Sequence, residues 1–395
     1  MRDAVKAFRL RRLRRLKSRF DEEDWVTIKG THVLIDEEGN VTGGPDNIKK
    51  TQFKRAQPSA RTKRQEQTQS TPKVAREKVS TEPPVFMEPF LSRKRNVKTW
   101  NRMQEYVNNK EDADPTCANV FSAISKMHPD IMNGGKLSSL GYAEPDSATG
   151  LAGFSWAEGF GVPFAPQLKL YDPNKYDSED VILTNIHEMS HMADHYTFEE
   201  GKGLSSHVFS NKLKLPDGQE FFDRENHGVP KEVLDVAAKK KAYFKEEEDK
   251  FRTTIASEKE RILKKYDGQK TNECVDEINS SIDKHYKEYV RNVRYNWSKD
   301  NVGWGELMDI YDALSGGRLM DGRKGHEGLF VSGHGINYFS YCNNARDNRC
   351  TEILANYVGI GVCKPELLSI LRKDQPELCK ELDSIANEMI RRLRG

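Results

Sequence analysis

What this chain lacks narrows its class. No uninterrupted apolar run approaches the roughly 20 residues a membrane-spanning helix needs, so no membrane span is expected. The N-terminal arginines have no apolar stretch behind them, which is not the pattern of a secretory leader. Cysteine is sparse. Cys117, Cys274, Cys342, Cys350, Cys363 and Cys379 are scattered and none forms a C-x-x-C pair. That usage argues against a disulfide framework and for a reducing compartment. The expected location is cytoplasmic, in a cell or an infected host, or on a virion. Apolar residues are also few, 36% against 31% charged, so part of the chain is expected to be extended or solvated.

What is present is unevenly charged. The net charge is only +2, yet the first hundred residues are strongly basic. Such a region offers a surface to nucleic acid or an acidic partner, or serves only as a solvated tail. Residues 1–20 place Leu and Phe at helical spacing among arginines, as in a short basic amphipathic helix. Two β-rich runs between Trp25 and Val41 flank Gly30 and precede a Glu-Gly-Asn turn, which predicts a small β-hairpin. Residues 1–42 therefore form one module. Residues 43–98, rich in Lys, Arg, Gln, Thr, Ser and Pro, read as a disordered linker. The remainder, 99–395, reads as one α+β domain, mostly helical with a small sheet. Residues 231–299, rich in Lys, Glu and Arg with sparse Phe, Ile, Leu and Tyr, form a long charged helical insertion, expected as a solvated hairpin broken at Asp267-Gly268 without a catalytic role.

The chemistry centres on His187-Glu188-Met189-Ser190-His191, an H-E-x-x-H pattern. Leu168 to Tyr171 alternates as a strand does. Asp177 and Ser178 are capping types, and Val181, Ile182, Leu183, Ile186, Met189 and Met192 make the following helix a buried one. Residues i and i+4 share a helix face, so His187 and His191 can grip one ion, with zinc the default. Glu188 is placed to act as general base toward a water activated at that ion.

A third ligand is required. His195 continues the series, but eight helical residues rise about 12 Å, whereas donors on one zinc lie about 3–4 Å apart. His207, beyond Gly201 and Gly203, stays open. Glu352 is the better candidate, because a carboxylate on the apolar run Thr351 to Tyr357 is rare unless it is paired or metal-bound. Asp347 or Asn348 is the expected cap of that helix. Asn356, one turn later, is expected to accept a hydrogen bond from the far nitrogen of a ligating histidine. Tyr338 and His334 are candidates to hold an oxyanion. Arg318, Arg323 and Arg346 could bind substrate, and nothing in the sequence selects among them.

These pieces resemble a known group. H-E-x-x-H followed far downstream by a Glu-x-x-x-Asp helix is the gluzincin pattern, although Asn356 stands here where the pattern has Asp. The order Asp309-Ile310-Tyr311-Asp312-Ala313-Leu314-Ser315-Gly316, then Gly333-His334-Gly335 with Tyr338, then Glu352-Ile353-Leu354-Ala355-Asn356 is similar to zincin-like domains of bacteriophage minor-head and polyvalent proteins. The stretch from Trp25 to Val41 resembles a module of the same proteins. The resemblance implies a zincin-like, zinc-dependent endopeptidase acting on a protein or peptide substrate, associated with a phage. Two other classes stay open: a non-catalytic virion or scaffold component with a structural zinc, and a DNA-associated zinc protease that uses its basic arm.

Overall fold

The computed structural model describes residues 75–395, apart from 129, 132–136, 147–150, 156–157, 160–161, 164–165, 199–202, 208–212, 322–327 and 343, and the backbone of three N-terminal strands. The chain divides into two compact units, Met1–Thr71 and Pro72–Gly395. In the first, β1 (Trp25–Ile28), β2 (Thr31–Ile35) and β3 (Val41–Gly43) pair in order as an antiparallel sheet. The expected hairpin is its first two strands. The expected basic helix over 1–20 and the linker up to residue 74 lie outside the described residues.

The second unit starts well before residue 99, which corrects the linker boundary. Residues 75–98 send Val79, Phe86 and Met87 into the core, and neighbouring polar groups hold their backbone. Asn119 Oδ1 accepts from Glu77 N at 2.7 Å, Asn108 Oδ1 from Val79 N at 2.9 Å and Ser125 Oγ from Ser80 N at 3.0 Å. A 3₁₀ turn at Val85–Phe90 then buries Phe86 and Met87. Helices α1 (Lys94–Asn109) and α2 (Pro115–Ser125) follow, the latter capped by Asp114, whose carboxylate accepts from Cys117 N.

Strands β4 (Ser139–Ala143), β5 (Gly153–Ser155) and β8 (Gln167–Tyr171) form a three-stranded sheet in the order β4-β8-β5, with β4 parallel and β5 antiparallel to β8. A two-residue ribbon, β6 (Glu158–Gly159) with β7 (Val162–Pro163), lies between them in sequence. Alternation along β8 buries Leu168 and Leu170, as a half-covered strand requires.

Helix α3 (Glu179–Tyr196) leaves the sheet directly and carries the H-E-x-x-H residues. Asn185 ties it back to β8, accepting from Tyr171 N at 2.8 Å and donating to Tyr171 O at 2.9 Å. Ser178 occupies the N-cap position, but its hydroxyl is buried and makes no hydrogen bond. The acidic residues of the first turn suit the helix dipole instead, and Glu179 meets Lys364 at 2.7 Å.

After the short α4 (Leu204–His207), the charged insertion forms α5 (Lys231–Lys265) and α6 (Asn272–Val290). They pack as an antiparallel hairpin, with Lys265 against Glu277 at 2.7 Å and Phe251 against Tyr289 at 5.5 Å. Asp267 and Gly268 turn the chain with φ of 49° and 76°. Helix α7 (Trp304–Leu314) returns to the body. Helix α8 (Ala345–Cys363) packs along α3, and α9 (Pro365–Asp374) and α10 (Pro376–Leu393) close the chain. The N-cap position of α8 is Asn344, three residues before the expected Asp347. The unit is thus α+β and mostly helical. No helix of the described residues is long and apolar enough to cross a membrane.

Candidate metal centre

The two motif histidines and the distant carboxylate come together. His187 Nε2 and His191 Nε2 are 3.0 Å apart, and Glu352 Oε2 is 3.4 Å from each. Helical spacing on α3 aligns the imidazoles, and the packing of α8 across α3 delivers Glu352. These separations match the 3–4 Å expected between donors on one zinc with bonds of about 2.0–2.2 Å.

The donors also leave room for a cation. Glu352 Oε2 is buried and accepts no hydrogen bond, and His187 Nδ1 is buried without a partner. Burial opposes charge on His187, but its contact with Glu352 and the charges of Glu188 and Glu352 push it up to about 9. Burial likewise opposes charge on Glu352, yet His191, His334 and His187 hold it well below the usual carboxylate range. A pocket that stabilises a proton in this way has the field to stabilise a divalent ion, and ion and proton would compete for it. The residues can therefore hold a metal ion.

The other histidines take different places. His195 packs its ring against Tyr196 and Phe154, at 5.2 and 5.5 Å. His207 ends α4, and its side chain lies outside the described residues. Glu188 belongs to the same cluster as His187 and His191. Its Oε2 accepts the backbone N–H of Phe154 on β5 at 2.8 Å, so the sheet edge fixes the carboxylate.

On the other side of Glu352 stands a second network. Tyr338 donates its hydroxyl to Glu352 Oε1 at 3.1 Å, and His334 Nε2 is 3.6 Å from that oxygen. His334 stacks on Tyr338 with ring centres 4.5 Å apart. Its far nitrogen, Nδ1, is 3.0 Å from Asp309 Oδ1, and Asp309 Oδ2 accepts from Asn356 Nδ2 at 2.9 Å. Asn356 thus donates to Asp309, which corrects the expected bond to a ligating histidine. Burial opposes charge on His334, but Asp309 and Glu352 overcome it and push the ring up to about 10.

Asp309 is the residue the sequence reading failed to assign. The signal was present, because Asp309 sits among the buried Leu307, Met308, Ile310 and Tyr311, the same isolated-carboxylate pattern that marked Glu352. Asp312, one turn on, accepts from Met320 N and Gly335 N, each at 3.0 Å, and so holds the loop that carries His334. Of the arginines, Arg318 donates to Gln219 Oε1 and Ser315 O, a structural use. Arg346 is exposed, and Arg323 lies outside the described residues.

No protein-family model matches this chain, and no curated protein or solved structure does.

Proposed function

We propose that this chain is a zinc-dependent endopeptidase with a gluzincin-type, zincin-like domain, acting on a protein or peptide substrate in association with a phage. The observation that carries the reading is the meeting of His187, His191 and Glu352 beside an anchored Glu188. A zinc ion held by those three residues would supply Lewis acidity, making water nucleophilic near neutral pH and polarising a peptide carbonyl.

The chain's own residues do the rest. Glu188 takes a proton from the attacking water and later returns it to the leaving amine. Its Oε2 is held by Phe154 N–H, which keeps Oε1 for that exchange. His334 is aligned by Asp309 and exposed on one side, and it offers Nε2–H to the oxyanion of the tetrahedral species. The Tyr338 hydroxyl donates its proton to Glu352 Oε1 at 3.1 Å and so holds that carboxylate in place.

Zinc-loaded full-length protein and its Glu188→Gln variant, incubated with an unfolded protein substrate, test this. The variant is expected to keep zinc and lose cleavage by about 10²–10⁴-fold. Equal cleavage by both would remove Glu188 from the chemistry. Zinc retention with no cleavage by either would favour the structural-zinc class.

A further inference from the structure

The charged insertion reads as a solvated arm, yet its root is not solvated. Val233, Ala237 and Lys240, at i, i+4 and i+7, form the seam along which α5 docks on the body. Lys240 occupies a position where an apolar residue would ordinarily pack and is only 5% exposed. Its Nζ donates to Ser332 Oγ at 2.9 Å, and the neighbouring Lys241 Nζ donates to Gly328 O at 3.2 Å. Two consecutive lysines therefore hold the 328–332 segment, directly before Gly333 and His334.

Burial disfavours charge on Lys240, which the carboxylates of Glu306, Asp180 and Asp309 only partly offset, leaving it at about 8. A buried amine whose hydrogen bond goes to a neutral hydroxyl is a poor source of stability. Its use must lie in what it holds. Asp309 and Asp312 fix the loop from α7, on the far side of the His334 step, through His334 Nδ1 and Gly335 N. Lys240 fixes the approach to it.

We propose that Lys240 is a positioning residue of this site: the root of the helical arm holds, through Ser332, the loop that presents His334. This rests on the peptidase reading above.

The test uses zinc-loaded full-length protein carrying Lys240→Met, Lys240→Arg, Ser332→Ala or the Lys240→Met/Ser332→Ala pair, with Glu188→Gln alongside. Lys240→Met is expected to lower kcat by about 10–100-fold, the size typical of losing an outer partner, with KM and zinc content unchanged. Lys240→Arg should restore part of the loss. Ser332→Ala should reproduce it, and the pair should lose no more than either alone. Independently of activity, amide exchange over 328–335 should quicken in Lys240→Met. Wild-type kcat in Lys240→Met, or a loss that follows zinc content or melting temperature, overturns the inference. If Glu188→Gln cleaves as the wild type does, the peptidase reading fails instead, and loop exchange still decides whether Lys240 holds the loop.

Discussion

Asp309 Oδ1 lies 3.0 Å from His334 Nδ1, and this contact sets what the imidazole can do. It fixes the ring's rotation and keeps a proton on Nδ1, while Asn356 fixes the carboxylate from behind. Asp309→Asn or Asp309→Ala should therefore lower cleavage by about 10–100-fold and leave zinc in place, since neither Asp309 nor His334 touches the His187–His191–Glu352 set through Oε2. Steady-state kinetics with parallel metal analysis checks it. Loss of zinc in Asp309→Asn would show that the aspartate serves the ion rather than the imidazole.

Asp309, His334 and Glu352 also lie close enough together to hold a second ion. Their hydrogen bonds argue against it. Tyr338 fills Glu352 Oε1, Asn356 fills Asp309 Oδ2, and Asp309 Oδ1 is taken by His334 Nδ1 at 3.0 Å. The expected stoichiometry is one zinc per chain. Glu352→Ala should weaken zinc binding by more than the roughly 10–100-fold of an outer partner, while His334→Ala and His207→Ala should not. Competition against a chromogenic chelator reads all three. Two zinc ions in the wild type and one in His334→Ala would replace this picture with a dinuclear centre.

Much of this centre was legible because it obeys local rules. Helical spacing puts His187 beside His191, and a lone carboxylate in an apolar helix singles out Glu352. The Asp309–His334 pairing has no such rule. It depends on where the chain returns after Gly316 and Gly317, whose φ values of 67° and 86° turn it out of α7, and sequence spacing does not encode that path. Asn356 was placed on the correct face and given the wrong partner for the same reason. Residues 75–98 read as a linker because side-chain amides and hydroxyls such as Asn108, Asn119 and Ser125 hold them, and those bonds leave no periodicity. Lys240 was hidden by composition, since one buried lysine looks like its solvated neighbours.

The loop anchor Asp312 makes a pH prediction. It is fully buried, and burial together with the charge of Asp309 pushes its carboxyl up to about 7, despite the N–H groups of Gly335 and Met320. An unfolded aspartate titrates near 3.9. From about pH 4 to 7 the unfolded chain has released this proton and the folded chain has not, so the group's contribution to stability falls as pH rises and levels off above 7. Three units correspond to about 4 kcal/mol at most. Urea unfolding of the wild type and Asp312→Asn across that range should give a difference that shifts in favour of the variant as pH rises. A flat difference would place the carboxyl near its ordinary value.

The helix that delivers Glu352 offers a packing test from two glycines on one element. A Cβ on Gly359 would lie 3.4 Å from Leu183 Cδ2 on the motif helix, ordinary contact, whereas one on Gly361 would lie 2.3 Å from Cys117 Sγ and 2.8 Å from its Cβ. Cys117 is fully buried, and its thiol donates to Tyr357 O, so it has little room to retreat. Both glycines are inside α8, where alanine favours the helix by about 1 kcal/mol. Gly359→Ala should therefore be neutral or stabilising and keep its zinc. Gly361→Ala should lose about 1–3 kcal/mol from overpacking, less the helix gain. Thermal unfolding of the two variants decides. If Gly359→Ala is the more damaging, then α3 and α8 approach more closely than described, and with them His187 and Glu352.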